Sequence, residues 1–220
     1  MSTTQPEHIF SQQVRYDFRV YLASCEPGQV YLGMIITLPE PYASELAKIT
    51  ETQGIPPHIT IVEPRPVYPR EVDSIRRRAQ QLCDEVCPFV ISFGKIGDFR
   101  PTSPVIYVEV QRGHDHCKEL AKLLRFGPLA GEARYPYYPH ITLGTNVSNE
   151  DLDRVAALSK RSHGYFMVNS IDLDLIRPDG VEPVATLQLG GAVTGELAKL
   201  MESECPKFPS NRTGDAANSE

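Results

Sequence analysis

The chain of 220 residues is long enough to bury a hydrophobic core without disulfide or metal cross-links. Its content of 41% apolar and 23% charged residues is typical of a globular protein and excludes an intrinsically disordered chain. The formal net charge of −6 excludes a surface that holds long nucleic acid through a broad excess of lysine and arginine.

Strand and helix patterns become regular at residue 30. They follow an N-terminal extension, residues 1–27, in which only residues 14–22 alternate as a half-buried strand would. The run VYLGMIITL predicts a buried strand, and the glycine and prolines of GIPP end the helix that follows it. The first half is predicted to contain strands at 30–38, 58–62 and 89–96, and helices at 39–52 and 70–86.

The second half repeats this order of elements. Corresponding elements are offset by roughly 74 to 82 residues, which is natural for a duplicated lobe. Residues 28–191 are therefore predicted to form two pseudo-equivalent lobes, and residues 192–220 a largely disordered tail with little apolar content. The predicted elements are strands at 105–110, 140–143, 165–176 and 184–189, and helices at 114–126 and 149–160.

The sequence also predicts the cellular location of the protein and the oxidation state of its cysteines. The start, MSTTQPEHIF, lacks the basic and apolar regions of a signal sequence, and no run of 18 apolar residues occurs, so we expect a cytoplasmic protein without a membrane partner. The five cysteines form no paired C-x-x-C motifs and are predicted to be reduced.

His114, His116 and Cys117 resemble a metal-ligand cluster. Helical positions i and i+2 point about 200° apart, however, so a metal-bound hydrolase is the weakest alternative.

A repeated tetrapeptide is the most informative feature of the sequence. Pro-His-Ile-Thr occurs at residues 57–60 and again at residues 139–142, and an aliphatic residue follows each copy. Both copies open the short central strand of their own predicted lobe. Side chains at i and i+2 of a strand leave the same face, about 6.6 Å apart. His58 therefore shares a face with Thr60, and His140 with Thr142, while the isoleucines point to the opposite, apolar face.

Paired histidines suit the cleavage of a phosphodiester. A pKa near 6.5 lets one imidazole be neutral and the other protonated at physiological pH, so that one takes a proton and the other gives one. Threonine hydroxyls can donate to the phosphoryl oxygens on which charge builds in the transition state. If the two lobes pack about a pseudo-two-fold axis, both imidazoles would flank one substrate atom. We therefore predict four catalytic residues, His58, Thr60, His140 and Thr142.

These two His-x-Thr motifs resemble the signature of the 2H phosphoesterases, in particular the bacterial RNA 2′,3′-cyclic phosphodiesterases, also called 2′-5′ RNA ligase-like proteins. The resemblance covers about residues 28–191 and includes the segment GKIGDFRPTSPVIYVEV. It implies an α+β fold, bilobal and duplicated, in which two antiparallel sheets line a central cleft and the helices pack outside. It also implies metal-independent opening of a 2′,3′-cyclic phosphate to a 2′-phosphate, with His58 as the acid and His140 as the base.

Four further residues are candidates for binding the substrate. Arg65 follows the first motif strand and could contact phosphate. Arg134 and Tyr138 precede the second motif and could grip a ribose phosphate or stack a base, as could Phe99 in the connection between the lobes. The second motif continues as LGTN without the basic residue that many family members carry, which favours a nucleotide or short RNA end over long RNA.

Two functions remain open at this point. The first is a cofactor-free phosphodiesterase for 2′,3′-cyclic phosphates or related cyclic or 2′-5′ phosphodiesters. The second is a module that binds an RNA end or a nucleotide, with weak 2′-5′ ligation as a side activity. Binding needs hydrogen-bond donors but no matched acid and base, so the retention of both histidines favours the enzyme. We expect a monomer with no obligate protein partner.

Overall fold

A computed structural model provides the structure of the protein and describes residues 25–48, 56–131, 135–145, 148, 150, 163–177 and 180–191. The predicted strand at 14–22, the predicted helix at 149–160 apart from residue 150, and the predicted C-terminal tail lie outside the described residues. The strands are β1 (Val30–Thr37), β2 (His58–Val67), β3 (Phe89–Asp98), β4 (Val105–Arg112), β5 (His140–Thr145), β6 (Gly164–Val168), β7 (Ser170–Arg177) and β8 (Gly180–Gln188). The helices are α1 (Tyr42–Ala47), α2 (Val72–Cys83) and α3 (His114–Leu124), with 3-10 turns at Pro69–Glu71 and Gly127–Leu129.

The fold is α+β, as predicted, and consists mostly of antiparallel sheet. The eight strands form one sheet in the order β6-β3-β4-β5-β2-β1-β7-β8, instead of the two sheets that were predicted. Strands β2 and β5 join its two halves, and they pair only at Ile59 and Ile141. The sheet is therefore nearly divided at its centre, between the strands that carry the two motifs.

The third strand of each sequence repeat crosses to the other half of the sheet. Strand β3 pairs with β4, whereas β7 pairs with β1. The segment predicted as one strand at 165–176 is broken at Asn169 into β6 and β7, which lie near opposite ends of the strand order. Because a single residue links them, the sheet must curl until its ends approach each other.

The two faces of the sheet differ in character. Ile59, Ile61, Ile141 and Leu143 are fully buried and belong to one core, to which Leu120 and Leu124 of α3 and Ile75 and Ala79 of α2 also belong. Since side chains alternate along a strand, the two histidines and two threonines of the motifs stand on the other face. We call the apolar side the helix face and the other side the motif face.

Strand β2 is longer than predicted. It was expected to end before Pro64 but continues to Val67. Its pairing with β1 shifts register on both sides of Met34, and such irregularities accommodate proline within a strand because the regular ladder is interrupted there. Among the described residues, no helix is long and apolar enough to cross a membrane.

Candidate active site

The single residue pair between β2 and β5 sets the geometry of the two motifs. Ile59 lies directly opposite Ile141 in an antiparallel pair. Extending this register by one residue places His58 opposite Thr142, and Thr60 opposite His140, on the motif face. Cross-strand neighbours of this kind have Cβ atoms about 5 Å apart. On this register each histidine would face the threonine of the other motif.

Both imidazole rings are held by the same backbone contact. Nδ1 of His58 lies 2.9 Å from the carbonyl oxygen of Pro56, and Nδ1 of His140 lies 2.7 Å from that of Tyr138. A carbonyl oxygen only accepts hydrogen bonds, so each Nδ1 carries the proton. The Nε2 atoms are therefore left as the proton-transferring positions of both rings.

The protonation of the two histidines is shifted in the same direction. Burial lowers the pKa of His58 below 6.5, and the hydrogen bond to the Pro56 carbonyl offsets only part of this shift. Burial also lowers the pKa of His140, and a positive charge on His58 lowers it further. The two rings are therefore close enough that a proton on one disfavours a proton on the other.

An aromatic cluster surrounds His140. The ring of Phe99 packs edge-on against His140 with centroids 5.1 Å apart, and Tyr107 does so at 5.4 Å. Phe99 also stacks on Tyr107 at 4.2 Å and contacts Tyr138 edge-on at 6.0 Å. The structure thus brings the predicted residues Phe99 and Tyr138 to the second motif, together with Tyr107, which the sequence analysis missed.

A glycine makes room for this cluster. A Cβ atom added at Gly97 would lie 2.8 Å from the ring of Tyr107, which is closer than real Cβ contacts. Gly97 is the partner of Tyr107 in the β3–β4 ladder, so the tyrosine ring leans across the neighbouring strand. The same ring reaches both Phe99 and His140.

Glu109 connects the cluster to the hydrogen bond that orients His140. It is the ladder partner of His140, and its carboxylate accepts a 3.0 Å hydrogen bond from the Tyr138 hydroxyl. The backbone carbonyl of the same tyrosine accepts the Nδ1 proton of His140. Glu109 thereby fixes the residue that holds the imidazole.

The Tyr138→Phe substitution tests this positioning role. It removes the hydrogen bond to Glu109 but keeps the ring, and hydrogen bonds to charged groups are worth about tenfold or more in an equilibrium. We expect a fall of about tenfold in kcat with little change in KM for a small cyclic nucleotide. The control is Tyr42→Phe, whose hydroxyl has no hydrogen-bond partner among the described residues. Equal kcat values for both variants would contradict the role.

Arg65 is placed away from the histidines. It is the ladder partner of Leu32, a fully buried residue of the helix face. Its guanidinium pairs with Glu63 and donates a 3.3 Å hydrogen bond to the Gly131 carbonyl, and Arg125 reaches the same glutamate at 2.7 Å. The structure therefore does not bring Arg65 to the two histidines. The predicted Arg134 lies outside the described residues.

The histidine–cysteine cluster on α3 does not converge. His116 stacks on Phe89 at 5.0 Å, whereas His114 packs edge-on against Tyr138 at 5.4 Å. Cys117 is fully buried, and burial raises its pKa to about 12. Within the described ranges, no three histidine, cysteine, aspartate or glutamate side chains are grouped to hold a metal ion. The metal-bound alternative is therefore wrong for these three residues.

Comparison with known proteins agrees with the motifs. The 2′-5′ RNA ligase superfamily matches residues 44–182, which is more than half of the chain and includes both copies of His-Ile-Thr. The chain belongs to this superfamily. The resemblance to the 2H phosphoesterases is thereby confirmed.

Several bacterial proteins are similar to this chain in sequence. A protein of Halalkalibacterium halodurans named "Putative phosphoesterase BH1439" is 32% identical over 98 residues, which are 44% of this chain and 57% of that protein. A "Putative phosphoesterase" of Geobacillus thermodenitrificans is 30% identical over 112 residues, which are 51% of this chain and 64% of that protein. The chain thus matches less than two thirds of the length of these relatives.

Solved structures share the fold. Escherichia coli LigT, in a complex with 3′-AMP, superposes with a TM-score of 0.55 at 17% identity, over 73% of this chain and 98% of LigT. TT0787 of Thermus thermophilus superposes with a TM-score of 0.53 at 20% identity, over the same shares of the two chains. These likenesses show that the chain shares its fold with known structures.

Proposed function

We propose that the protein is a metal-independent phosphodiesterase that opens the 2′,3′-cyclic phosphate of a nucleotide or short RNA end to a 2′-phosphate. The observation that carries the proposal is the matched pair of imidazoles, each with Nδ1 bound to a backbone carbonyl and Nε2 left for proton transfer. The names of the relatives support phosphoester chemistry. Membership of the superfamily supports an RNA-type substrate.

In the proposed reaction both histidines move a proton at Nε2. Neutral His140 takes a proton from water, and the resulting hydroxide attacks the phosphorus. The bond between phosphorus and O3′ breaks, and protonated His58 gives its proton to the leaving O3′. The products are a 2′-phosphate and a free 3′-hydroxyl, with His140 now charged and His58 neutral. Proton exchange with solvent restores both rings.

The electrostatics of the pair favour one protonated and one neutral ring. A charge on His58 lowers the pKa of His140, and since the repulsion is mutual it disfavours a second proton on the pair; the assignment of His58 as the acid follows the resemblance to the 2H phosphoesterases. A protonated His58 and a neutral His140 are the states required of the acid and the base. The substrate phosphate adds negative charge and stabilises the protonated ring further.

The threonines and the aromatic cluster complete the proposed site. The hydroxyls of Thr60 and Thr142 stand on the motif face beside the opposing histidines, where they would donate to the non-bridging phosphoryl oxygens. The rings of Phe99, Tyr107 and Tyr138 offer a stacking surface for the base of the nucleotide whose phosphate lies at His140.

The direct test is hydrolysis of adenosine 2′,3′-cyclic phosphate and of 2′-5′-linked dinucleotides in excess chelator, followed by phosphorus NMR. We expect adenosine 2′-phosphate as the product of the cyclic nucleotide. Accumulation of the 3′-phosphate would contradict the assignment of the leaving oxygen. Saturable binding without any product would favour the alternative of a nucleotide-binding module.

The pH dependence of kcat/KM follows from the two lowered pKa values. The rate rises with pH as the base loses its proton and falls as the acid loses its own. Since both pKa values lie below 6.5 in the free protein, kcat/KM is expected to peak on the acidic side of pH 6.5 and to decline through neutrality. Bound phosphate raises the pKa of the acid, so the declining limb of kcat should lie at higher pH. An alkaline optimum of kcat/KM would contradict this.

A further inference from the structure

The two motif strands are joined to each other at one residue pair. Strands β2 and β5 pair at Ile59 and Ile141. A longer antiparallel ladder repeats its hydrogen bonds at every second residue and so fixes the angle between its strands, whereas a single pair does not. Reacting groups have to be held to within about 0.5 Å of their productive positions. A side-chain contact that crosses this junction therefore affects how His58 and His140 stand relative to each other.

Tyr137 makes such a contact. It precedes β5, and its hydroxyl donates a 2.9 Å hydrogen bond to the backbone carbonyl of Thr60 on β2. Its ring is half-buried and packs against the core. Burial raises the pKa of the Tyr137 phenol, so the hydroxyl keeps its proton and remains a donor over the pH range in which histidines titrate. The segment that leads into the second motif is thus bound to the strand of the first.

The ring of Tyr137 is attached to β2 by a second route. The guanidinium of Arg125, the residue after α3, lies 5.3 Å from the ring centroid. The same guanidinium donates to Glu63 of β2 at 2.7 Å. A cation over an aromatic ring is attracted by its π electrons, and more strongly where water is partly excluded. Both the hydroxyl and the face of the ring are therefore held by the strand that carries Thr60.

A short, stiff segment connects Tyr137 to His140. The next residue, Tyr138, supplies the carbonyl that accepts the Nδ1 proton of His140 at 2.7 Å. Pro136 and Pro139 flank the two tyrosines, and proline fixes its own φ and restricts the residue before it. A displacement of Tyr137 is therefore passed on to the imidazole instead of being absorbed by the backbone between them.

The two neighbouring tyrosines bind this segment to different halves of the sheet. The Tyr138 hydroxyl donates to Glu109 on β4, in the half that contains β5. The Tyr137 hydroxyl donates to Thr60 on β2, in the other half. The first bond places His140 relative to its own strands, and the second places it relative to the strand of the first motif.

We propose that Tyr137 is a positioning residue that sets the spacing of His58 and His140 across the β2–β5 junction, with Arg125 as its support. The consequence for catalysis rests on the proposed function. Without the Tyr137 hydroxyl each histidine keeps its own backbone acceptor, but the acid and the base no longer stand at a fixed distance on either side of the phosphorus. The loss falls on the step that needs both rings at once.

Tyr137→Phe removes the hydroxyl and keeps the ring beside Arg125. For adenosine 2′,3′-cyclic phosphate we expect kcat to fall about tenfold with little change in KM, because the ring packs against the core and not against the nucleoside. The fall should be smaller for the p-nitrophenyl ester of 3′-deoxyadenosine 2′-phosphate, whose leaving phenoxide needs little protonation, so that only the base has to be placed. An equal fall for both substrates would overturn the spacing role.

Tyr68→Phe is the matched control. The Tyr68 hydroxyl donates to Glu26 at 2.8 Å, and the guanidinium of Arg70 lies 4.4 Å from the ring centroid. The variant thus loses the same kind of hydrogen bond beside the same kind of cation, but it does so beyond the end of β2 that lies away from the motif. It should retain kcat for both substrates. A loss equal to that of Tyr137→Phe would overturn the proposal.

The spacing can also be measured without turnover, by NMR titration of His140. In the unchanged protein His58→Ala should raise the pKa of His140, because the charge on His58 lowers it. In the Tyr137→Phe background the same replacement should raise the pKa less, since two rings that repel each other move apart when the crossing bond is absent. In the Tyr68→Phe background the full rise is expected. An equal rise in all three backgrounds would overturn the spacing role.

Failure of this role and failure of the proposed function can be told apart. If neither substrate is hydrolysed, the proposed function fails, and the titration still decides the spacing. If both are hydrolysed and Tyr137→Phe matches the unchanged protein in kcat and in titration, the phosphodiesterase stands and the positioning role is rejected. If circular dichroism shows that Tyr137→Phe does not fold, Arg125→Lys decides. It keeps a charge beside Glu63 but loses the planar cation over the ring, so both readouts should shift in the same direction, and two unchanged readouts would reject the role.

Discussion

Replacement of either motif histidine by alanine is expected to reduce the hydrolysis of adenosine 2′,3′-cyclic phosphate by about 10²- to 10⁴-fold in kcat. This corresponds to about 3 to 5 kcal/mol of transition-state stabilisation. His58→Ala removes the proton that the leaving O3′ needs, and His140→Ala removes the acceptor of the proton from water. KM should change far less, because neither imidazole is the main anchor of the nucleoside. Stopped assays analysed by phosphorus NMR give both parameters.

The double variant and a surface histidine provide the controls. Acid and base act in the same step, so the His58→Ala/His140→Ala variant should lose much less than the product of the two single losses. His163→Ala should retain full activity, because His163 is exposed on the approach to β6. Activity that persists in either single variant would remove that ring from the proposed mechanism.

A leaving-group substrate separates the two single variants. In the p-nitrophenyl ester of 3′-deoxyadenosine 2′-phosphate, p-nitrophenoxide is bonded to the phosphorus in place of O3′, and it needs little protonation because it is a good leaving group. His58→Ala should therefore recover much of its activity on this compound, whereas His140→Ala should not. Equal recovery by both variants would contradict the assignment of acid and base.

The face that carries the chemistry was predictable from the sequence, since it depends only on alternation along a strand. His58 and Thr60, and likewise His140 and Thr142, differ by two positions, and the isoleucine between each pair is fully buried. The placement of Arg65 could not be predicted from alternation. The register between β1 and β2 shifts twice between the Thr60 and Arg65 pairs, and only the pairing with Leu32 shows that Arg65 lies on the helix face.

The partners of the strands were not predictable in this way. A hydrophobic pattern reports the period of a strand but not its neighbour, so nothing indicated that β3 and β7 exchange halves or that residue 169 breaks a strand. The same limit hid Glu109 and Tyr107. Their alternation in VIYVEV was visible, but their relevance depends on the pairing of β4 with β5.

Removal of a motif hydroxyl is expected to have the second-largest effect on turnover. Thr142→Val keeps the branched shape that suits a strand but deletes the donor to the phosphoryl oxygens, and Thr60→Val does the same in the other motif. Loss of one donor of this kind costs about 10²- to 10³-fold in kcat. The expected effect is on kcat rather than KM, because charge on the non-bridging oxygens grows only as the transition state is approached.

Serine variants separate the hydroxyl from the methyl group. Thr142→Ser and Thr60→Ser keep the donor and lose one buried or half-buried methyl, so they should retain kcat to within about tenfold while lowering the free energy of unfolding by about 1 kcal/mol. A sulfur substitution at the non-bridging oxygens of the cyclic phosphate adds a second measurement. If the threonines donate to these oxygens, the rate ratio of phosphate to phosphorothioate should fall in the valine variants, because the donor that distinguishes oxygen from sulfur is gone. A valine variant that keeps both its kcat and its ratio would assign the threonines to strand packing alone, since Ile59 and Ile141 would then suffice to place the histidines.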